Sequence, residues 1–203
     1  MVNFHKWRFN GQSLKRCLFV VLSTTTLVTF LVPTKAAETI IDSLVGVYKS
    51  PVTVMFTGGE KLTTENILEV VKISNETAYF RAVLPGANGH TCNIWGVADV
   101  VSDGLSFYTP QMNLGDQCLF KLKASDSRIN LSDEPVEGKT DGCYFATCGA
   151  RATYTSQSFE LKTRRPIGYM QRLLNSNEYK AATDNRAAGK SGMNLLSAPA
   201  GSK

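Results

Sequence analysis

The chain has 203 residues, with 22 Lys and Arg against 17 Asp and Glu and a formal net charge of +5. With 43% hydrophobic and 19% charged residues, it is too apolar for a disordered chain and long enough to bury a core. The charge is uneven, because residues 37–160 hold nine basic and 15 acidic residues whereas residues 161–203 hold eight basic and two acidic ones. A nucleic-acid-binding domain carries a basic stripe on its folded body, so this distribution excludes nucleic acid as the expected partner.

The first 36 residues have the three parts of a secretory signal peptide. Residues 1–16 carry four basic residues and no acidic one, and an apolar run then extends over residues 17–32. Thr34 and Ala36 suit positions −3 and −1 of a cleavage site, which places cleavage after Ala36. The apolar run has 16 residues, fewer than the roughly 20 that a membrane span needs. The sequence therefore predicts a Sec-type signal that exports a bacterial protein to the periplasm or the medium, with no lasting membrane anchor.

Short segments of alternating apolar and polar residues dominate the chain from residue 43 to residue 162. The candidate segments are SLVGVYKS, ILEVVKIS, TAYFRAVL, TCNIWGVADVV, LSFYT, QCLFKLKA, RINLSD, ATCGARATY and SQSFELKT. Turn residues such as Asp103-Gly104 separate them. The pattern predicts a mainly β fold, a small antiparallel barrel or sandwich of seven or eight strands. Gly96, in the middle of one segment, predicts a bend or a close approach.

One helical segment is predicted near the C-terminus, in RRPIGYMQRLLNSNEYKAAT. Pro166 suits its first position, and an apolar stripe follows that is expected to pack on the sheet. The stripe consists of Tyr169, Met170, Leu173 and Leu174. Either Asn175 or Ser176 is placed to cap a second short helical turn. We predict one domain over residues 37–183 and, because the last residues are small and polar, a disordered tail over residues 184–203.

Four cysteines remain after the expected cleavage. They are Cys92, Cys118, Cys143 and Cys148. An even number of cysteines in an exported chain predicts two disulfides, for which three pairings exist. Of these we favour Cys143–Cys148 with Cys92–Cys118, which would close Tyr144 and Phe145 in a small rigid ring. His90 is the only histidine after residue 36, so a metal site lacks further ligands and we predict no bound metal.

The sequence carries no recognisable catalytic or cofactor motif. It contains no Gly-x-Ser-x-Gly nucleophile elbow and no glycine-rich phosphate loop that opens a helix. His90 lies in PGANGH, a loop of Pro, Gly and Asn, and not beside an evident nucleophile. We therefore predict a protein without a cofactor that is not an enzyme, and keep an enzyme with an unrecognised site as an alternative.

Binding is the expected role, through loops that carry glycine, aromatic residues and arginine. The candidate partner-binding residues are Asn88, His90, Tyr144, Phe145 and Arg151. A rigid loop with aromatic side chains lowers the ordering cost of binding another protein. The alternative is that the two aromatic residues belong to the core, while His90 and Arg151 have structural roles within their loops.

The segments NGHTCNIWGVA, CLFKLKA, CYFATCGARA and RRPIGYMQRLLNSNEYKAA resemble those of small, exported, β-rich bacterial proteins with paired cysteines. More distantly, the chain is similar in kind to periplasmic lysozyme inhibitors. One family of these inhibitors is a small disulfide-bearing β-barrel, and another presents a C-x4-C loop to the lysozyme cleft. The second family has a histidine between its two cysteines, where this chain has Tyr-Phe-Ala-Thr at residues 144–147.

The resemblance implies a binding protein that inhibits a cationic cell-wall hydrolase such as lysozyme. The acidic residues 37–160 would speed its encounter with a basic partner. The alternative belongs to a different class of function: a β-barrel that binds a small apolar ligand in its interior. The sequence leaves the partner and the oligomeric state open.

Overall fold

The computed structural model describes residues 39–110, 117–136, 142–154 and 156–189. The predicted signal peptide lies outside these residues. The described α-helices are α1 (Ile40–Leu44), α2 (Gly142–Thr147), α3 (Met170–Leu174) and α4 (Asn177–Ala187). The described strands are β1 (Gly46–Met55), β2 (Lys61–Lys72), β3 (Thr77–Pro85), β4 (Thr91–Val101), β5 (Gly104–Thr109), β6 (Cys118–Ala124), β7 (Arg128–Glu134) and β8 (Ser158–Glu160). None of the described helices is long and apolar enough to cross a membrane.

The eight described strands form one sheet in which each strand pairs with the next along the chain. Every pairing is antiparallel, from β1–β2 through β7–β8. Just after β8, Arg165 and Val47 of β1 exchange two backbone hydrogen bonds of 2.9 and 3.0 Å. These bonds bring the two edges of the sheet together, so the predicted mainly β fold is confirmed as a nearly closed barrel.

Aromatic side chains fill the interior of the barrel, as expected for eight strands. Phe80 lies 5.4 Å from Phe107 and 5.8 Å from Phe120, measured between ring centroids, and Phe120 lies 4.7 Å from Tyr154. A Cβ atom on Gly96 would lie 2.3 Å from the ring of Phe107. The predicted close approach at Gly96 is therefore confirmed, and it is an aromatic ring that takes the space of a side chain.

The helix α1 closes one end of the barrel. Ile41 and Leu44 are buried, and α1 contacts both β2 and β5, which lie on different sides of the barrel. The hydroxyl of Tyr48 donates a 2.9 Å hydrogen bond to the carbonyl of Leu44 and ties the helix to β1. Thr39 and Asp42 form a capping box at its start. The amino-acid pattern gives no signal for this helix, because five residues are too few to show a helical period.

The helices α3 and α4 pack on the outer face of the barrel, as the apolar stripe predicted. Leu173 is buried, and the ring of Tyr179 meets Tyr79 of β3 edge-on at 5.0 Å. Ser176 caps α4 by accepting a hydrogen bond from the backbone N–H of Tyr179. Pro166 is not the first helical residue, because Arg165 is still paired with β1 and the helix begins only at Met170.

The boundary expected at residue 183 falls inside a helix. α4 continues to Ala187, and its exposed Arg186 pairs with Asp99 at the end of β4. Residues 184–187 are therefore helical, and the predicted disorder is wrong for these four residues. Residues 190–203 of the predicted tail lie outside the described residues.

A buried ion pair lies between the barrel wall and the C-terminal helices. Glu69 and Arg81 face each other across β2 and β3, and two hydrogen bonds of 2.6 and 2.9 Å join their side chains. Glu69 is fully buried, and its carboxylate also accepts a hydrogen bond from the hydroxyl of Tyr169. The buried carboxylate of Glu69 thus meets the partly buried side chains of Arg81 and Tyr169, which satisfy its charge.

The buried tyrosines predict an alkaline limit to stability. Burial raises the pKa of Tyr48 and of Tyr169 to about 12, and it raises the pKa of Tyr79 and Tyr154 as well. An unfolded tyrosine loses its proton near pH 10, whereas these four keep theirs in the fold. The contribution of these four tyrosines to the free energy of unfolding is therefore expected to be constant up to about pH 10 and to be lost as the pH rises above it.

Absorbance of tyrosinate, followed together with circular dichroism, checks this expectation. Ionisation of the buried tyrosines should coincide with unfolding. Replacing Tyr169 by phenylalanine removes one of the raised groups, so the alkaline slope of the free energy of unfolding should become smaller. Full ionisation of all tyrosines near pH 10 with the fold intact would contradict the burial described above.

Candidate binding site at the disulfide end

Both disulfides lie at the end of the barrel opposite α1. They join Cys92 to Cys148 and Cys118 to Cys143. Cys92 and Cys118 stand at the beginnings of β4 and β6. We call this end of the barrel the disulfide end. Alternate connections of an antiparallel meander lie at the same end, so the disulfide end carries the β1–β2, β3–β4, β5–β6 and β7–β8 connections.

The favoured pairing of Cys143 with Cys148 is wrong, as is that of Cys92 with Cys118. Residues 142–147 form the helix α2 and not a tight loop. Positions five residues apart on a helix differ in direction by about 140°, so the two sulfurs diverge. Cys143 reaches the first residue of β6, and Cys148, directly after the helix, pairs with Cys92 in a β-bridge. The closed ring around Tyr144 and Phe145 therefore does not exist.

The end of β7 positions the helix α2 over the barrel. The Asp133 carboxylate accepts hydrogen bonds from the backbone N–H groups of Cys143 at 3.3 Å and Tyr144 at 2.8 Å. Beneath the helix, the buried Tyr154 forms a hydroxyl–hydroxyl hydrogen bond with Thr147. α2 contacts β4, β6 and β7, so it covers the disulfide end much as α1 covers the other end.

Asn88 and His90 lie beside the segment that follows α2. The N–H of Ala87 donates to the carbonyl of Arg151 at 3.3 Å, and the N–H of Gly149 donates to the carbonyl of Thr91 at 2.9 Å. The ring of His90 packs so closely on Gly149 that a Cβ there would lie 2.6 Å from Nδ1.

The β1–β2 turn joins the same assembly through Asn88. Asn88 has a left-handed backbone with φ of 56°, and its Oδ1 accepts a 2.9 Å hydrogen bond from the hydroxyl of Thr57. Asn and Asp tolerate this conformation better than most residues. Asn88 and His90 therefore support the loops of the disulfide end by packing and hydrogen bonding.

Tyr144, Phe145 and Arg151 form the accessible part of the disulfide end. Phe145 is 65% exposed, and its ring meets that of the half-buried Tyr144 edge-on at 5.3 Å. The core interpretation is therefore wrong for Phe145. Arg151 is exposed, and its guanidinium has no ion-pair partner among the residues that the structure describes.

A cavity of about 600 Å³ opens between β7, α2 and the segment after α2. Its walls include Leu131, Ser132, Asp133, Tyr144, Arg151 and Tyr154. Sequence reasoning missed the residues of β7 and Tyr154, because they lie in a strand and in the core. One signal was present: Asp133 follows Ile129 and Leu131 at core-facing spacing, and an acidic residue at such a position indicates a local role.

In the described ranges, no group of three or more His, Cys, Asp or Glu side chains is arranged to hold a metal ion. No family model matches the chain, and neither a curated protein nor a solved structure matches it. The chemistry of the site is therefore interpreted from its own geometry.

Proposed function

We propose that this is an exported, disulfide-stabilised binding protein whose disulfide end holds another protein. The specific form of the proposal is inhibition of a cationic cell-wall hydrolase, with lysozyme as the first to test. The observation that carries it is the 65% exposure of Phe145 on a helix held by both disulfides, next to a cavity of about 600 Å³.

Rigidity is the first support for this proposal. Cys143 and Cys148 anchor both ends of α2, and the Asp133 carboxylate binds its first N–H groups. The helix is thus ordered before a partner arrives, so binding costs little conformational entropy. Aromatic residues and arginine are the side chains that most often dominate the energetics of an interface, and Phe145, Tyr144 and Arg151 supply both kinds.

Charge is the second support. Residues 37–160 hold 15 acidic against nine basic residues. The basic C-terminal segment contacts the opposite end and the outer wall, where Arg164 binds the carbonyl of Ser43 and Arg186 pairs with Asp99. The part of this segment that the structure describes, up to residue 189, therefore does not cover the disulfide end. An acidic body favours rapid encounter with a basic partner.

A substitution at Phe145, compared with a matched control, tests the proposal. Purified protein lacking residues 1–36 is mixed with lysozymes of different sources, and the lysis of cell walls is followed. Phe145→Ser is expected to weaken inhibition at least tenfold, as loss of a central aromatic anchor does. Ile73→Ser is the control, because Ile73 is 42% exposed at the opposite end of the barrel. If the protein neither inhibits lysozyme nor forms a complex with it at micromolar concentration, the proposed inhibition is wrong. If the two variants weaken inhibition equally, the binding site is not at Phe145.

The small-ligand alternative has less support. The contacting rings of Phe80, Phe107, Phe120 and Tyr154 occupy the interior that such a ligand would need. The enzyme alternative also has less support. The ring of His90 packs on Gly149, and this structural role accounts for a histidine in the loop without catalysis.

A further inference from the structure

A second cavity, of about 580 Å³, lies at the end of the barrel opposite the disulfides. Its walls are formed by Asp42, Val45, Lys72, Arg164, Arg165 and Pro166. Three of these residues are cationic and one is acidic, so the walls carry a net charge of +2. The volume lies within the range of about 300–1,000 Å³ that is usual for small-ligand sites.

Two of the three cations are held in place by the fold. The Nζ of Lys72 lies 2.7 Å from Oδ1 of Asp42. The guanidinium of Arg164 donates to the carbonyl oxygens of Asp42 at 3.1 Å and Ser43 at 2.6 Å. The stem of Arg164 packs against Gly46, where a Cβ would lie 2.8 Å from Cγ. Because these groups are already ordered, an anion that binds them loses little free energy to ordering them.

Arg165 supplies an uncommitted charge. Two hydrogen bonds to Val47 fix its backbone at the edge of the cavity. Its side chain is exposed and makes no ion pair or side-chain hydrogen bond with the residues that the structure describes. The hydrogen bond from Lys72 and the one from Thr39 hold the pKa of Asp42 below its ordinary value, so Asp42 is charged at neutral pH and offsets only one of the three cations.

We propose that this cavity binds a phosphate group. Guanidinium groups recognise phosphate through paired, charge-assisted hydrogen bonds, and a lysine adds a point charge. A phosphate monoester carries up to two negative charges, which matches the excess of +2 on the walls. Like charges gathered in one cavity repel each other, and a bound dianion removes that repulsion. The proposal does not depend on the role of the disulfide end, which lies at the other end of the barrel.

Titration with inorganic phosphate tests this site directly. Nuclear magnetic resonance of the protein lacking residues 1–36 should show saturable shifts of the amides of Val45 and Arg165. Arg165→Gln is expected to weaken binding at least tenfold, and its fold should persist because only the backbone of Arg165 closes the barrel. Lys180→Gln is the control, since Lys180 is an exposed lysine of α4 that does not line the cavity. Absence of saturable shifts, or equal weakening by both variants, overturns the proposal.

Vesicles distinguish the two sources of such a phosphate. The protein is sedimented with vesicles of phosphatidylcholine, alone or mixed with phosphatidic acid. Retention on the mixed vesicles that is lost in Arg165→Gln assigns the site to a lipid headgroup. Binding of inorganic phosphate without retention assigns it to a soluble phosphate compound. Retention that Lys180→Gln reduces as strongly as Arg165→Gln contradicts the site, because it reflects net charge alone.

Discussion

Replacing Arg81 with methionine is expected to lower the free energy of unfolding by about 3–5 kcal/mol. Glu69 is fully buried beneath the C-terminal helices, and Arg81 provides two of its hydrogen bonds. Without Arg81, the hydroxyl of Tyr169 is the one side-chain hydrogen-bond partner left to the Glu69 carboxylate among the residues that the structure describes. A buried charge that has lost its partner is among the most destabilising changes a fold can suffer. Urea unfolding followed by circular dichroism measures the loss.

Two comparisons separate the cost of an unpaired buried charge at Glu69 from the general cost of truncating a side chain. The double variant Glu69→Leu with Arg81→Met should recover most of the stability, since replacing a buried pair by apolar residues is often close to neutral. Lys49→Met is the matched control, because Lys49 and Glu65 form an exposed cross-strand pair. That control should cost less than about 1 kcal/mol. If Arg81→Met costs no more than Lys49→Met, the buried pair does not stabilise the fold in the way described.

The alternation of residues was enough to predict the strands, but not how the sheet closes. Alternation is a local property, and all eight described strands overlap segments in which it indicates a strand. Closure depends on Val47 meeting Arg165, which are far apart in the chain and carry no mutual signal. The sequence is therefore compatible with both a barrel and a sandwich. The pairing between the two edges of the sheet shows that the fold is a nearly closed barrel.

The segment ATCGARATY shows why a short alternating pattern misleads. Alternation predicts a strand here, yet residues 146–147 end α2, Cys148 forms an isolated β-bridge, and residues 149–154 are turns and irregular structure. A pattern over so few residues does not separate a strand from a helix. Here the Asp133 carboxylate, ten residues before Cys143, binds the first N–H groups of the helix and favours it. That interaction crosses the fold, so it could not be recognised in the local pattern.

The candidate site was found in part because loop composition points to the right end of the barrel. The structure brings Asn88, His90 and Arg151 together, since the β3–β4 loop contacts the segment after α2. Composition alone could not separate Asn88 and His90, which support the loops, from Phe145, which remains exposed. The cavity at the opposite end escaped notice because Lys72 is far in sequence from the adjacent Arg164 and Arg165.

Removing the Cys92–Cys148 disulfide, by replacing both cysteines with alanine, is expected to lower the free energy of unfolding by about 4 kcal/mol. The two cysteines are 56 residues apart, and the entropy of closing a loop of that length sets the magnitude. The Cys118–Cys143 bridge spans 25 residues, so its removal should cost about 0.7 kcal/mol less. Denaturant unfolding of both double variants measures the difference.

The part of the fold in which hydrogen exchange becomes faster shows whether the Cys92–Cys148 disulfide stabilises the disulfide end or the whole barrel. Cys148 anchors the C-terminal end of α2, so its loss should speed hydrogen exchange in residues 142–154 more than in β3. Residues 142–154 carry Phe145 and Arg151, so the same variant should also bind its partner more weakly even where the barrel is still folded. Unchanged exchange in α2 with unchanged binding would mean that the barrel, and not the disulfides, holds the site in shape. Uniformly faster exchange through all strands would mean that the bridge stabilises the whole fold without any preference for the disulfide end.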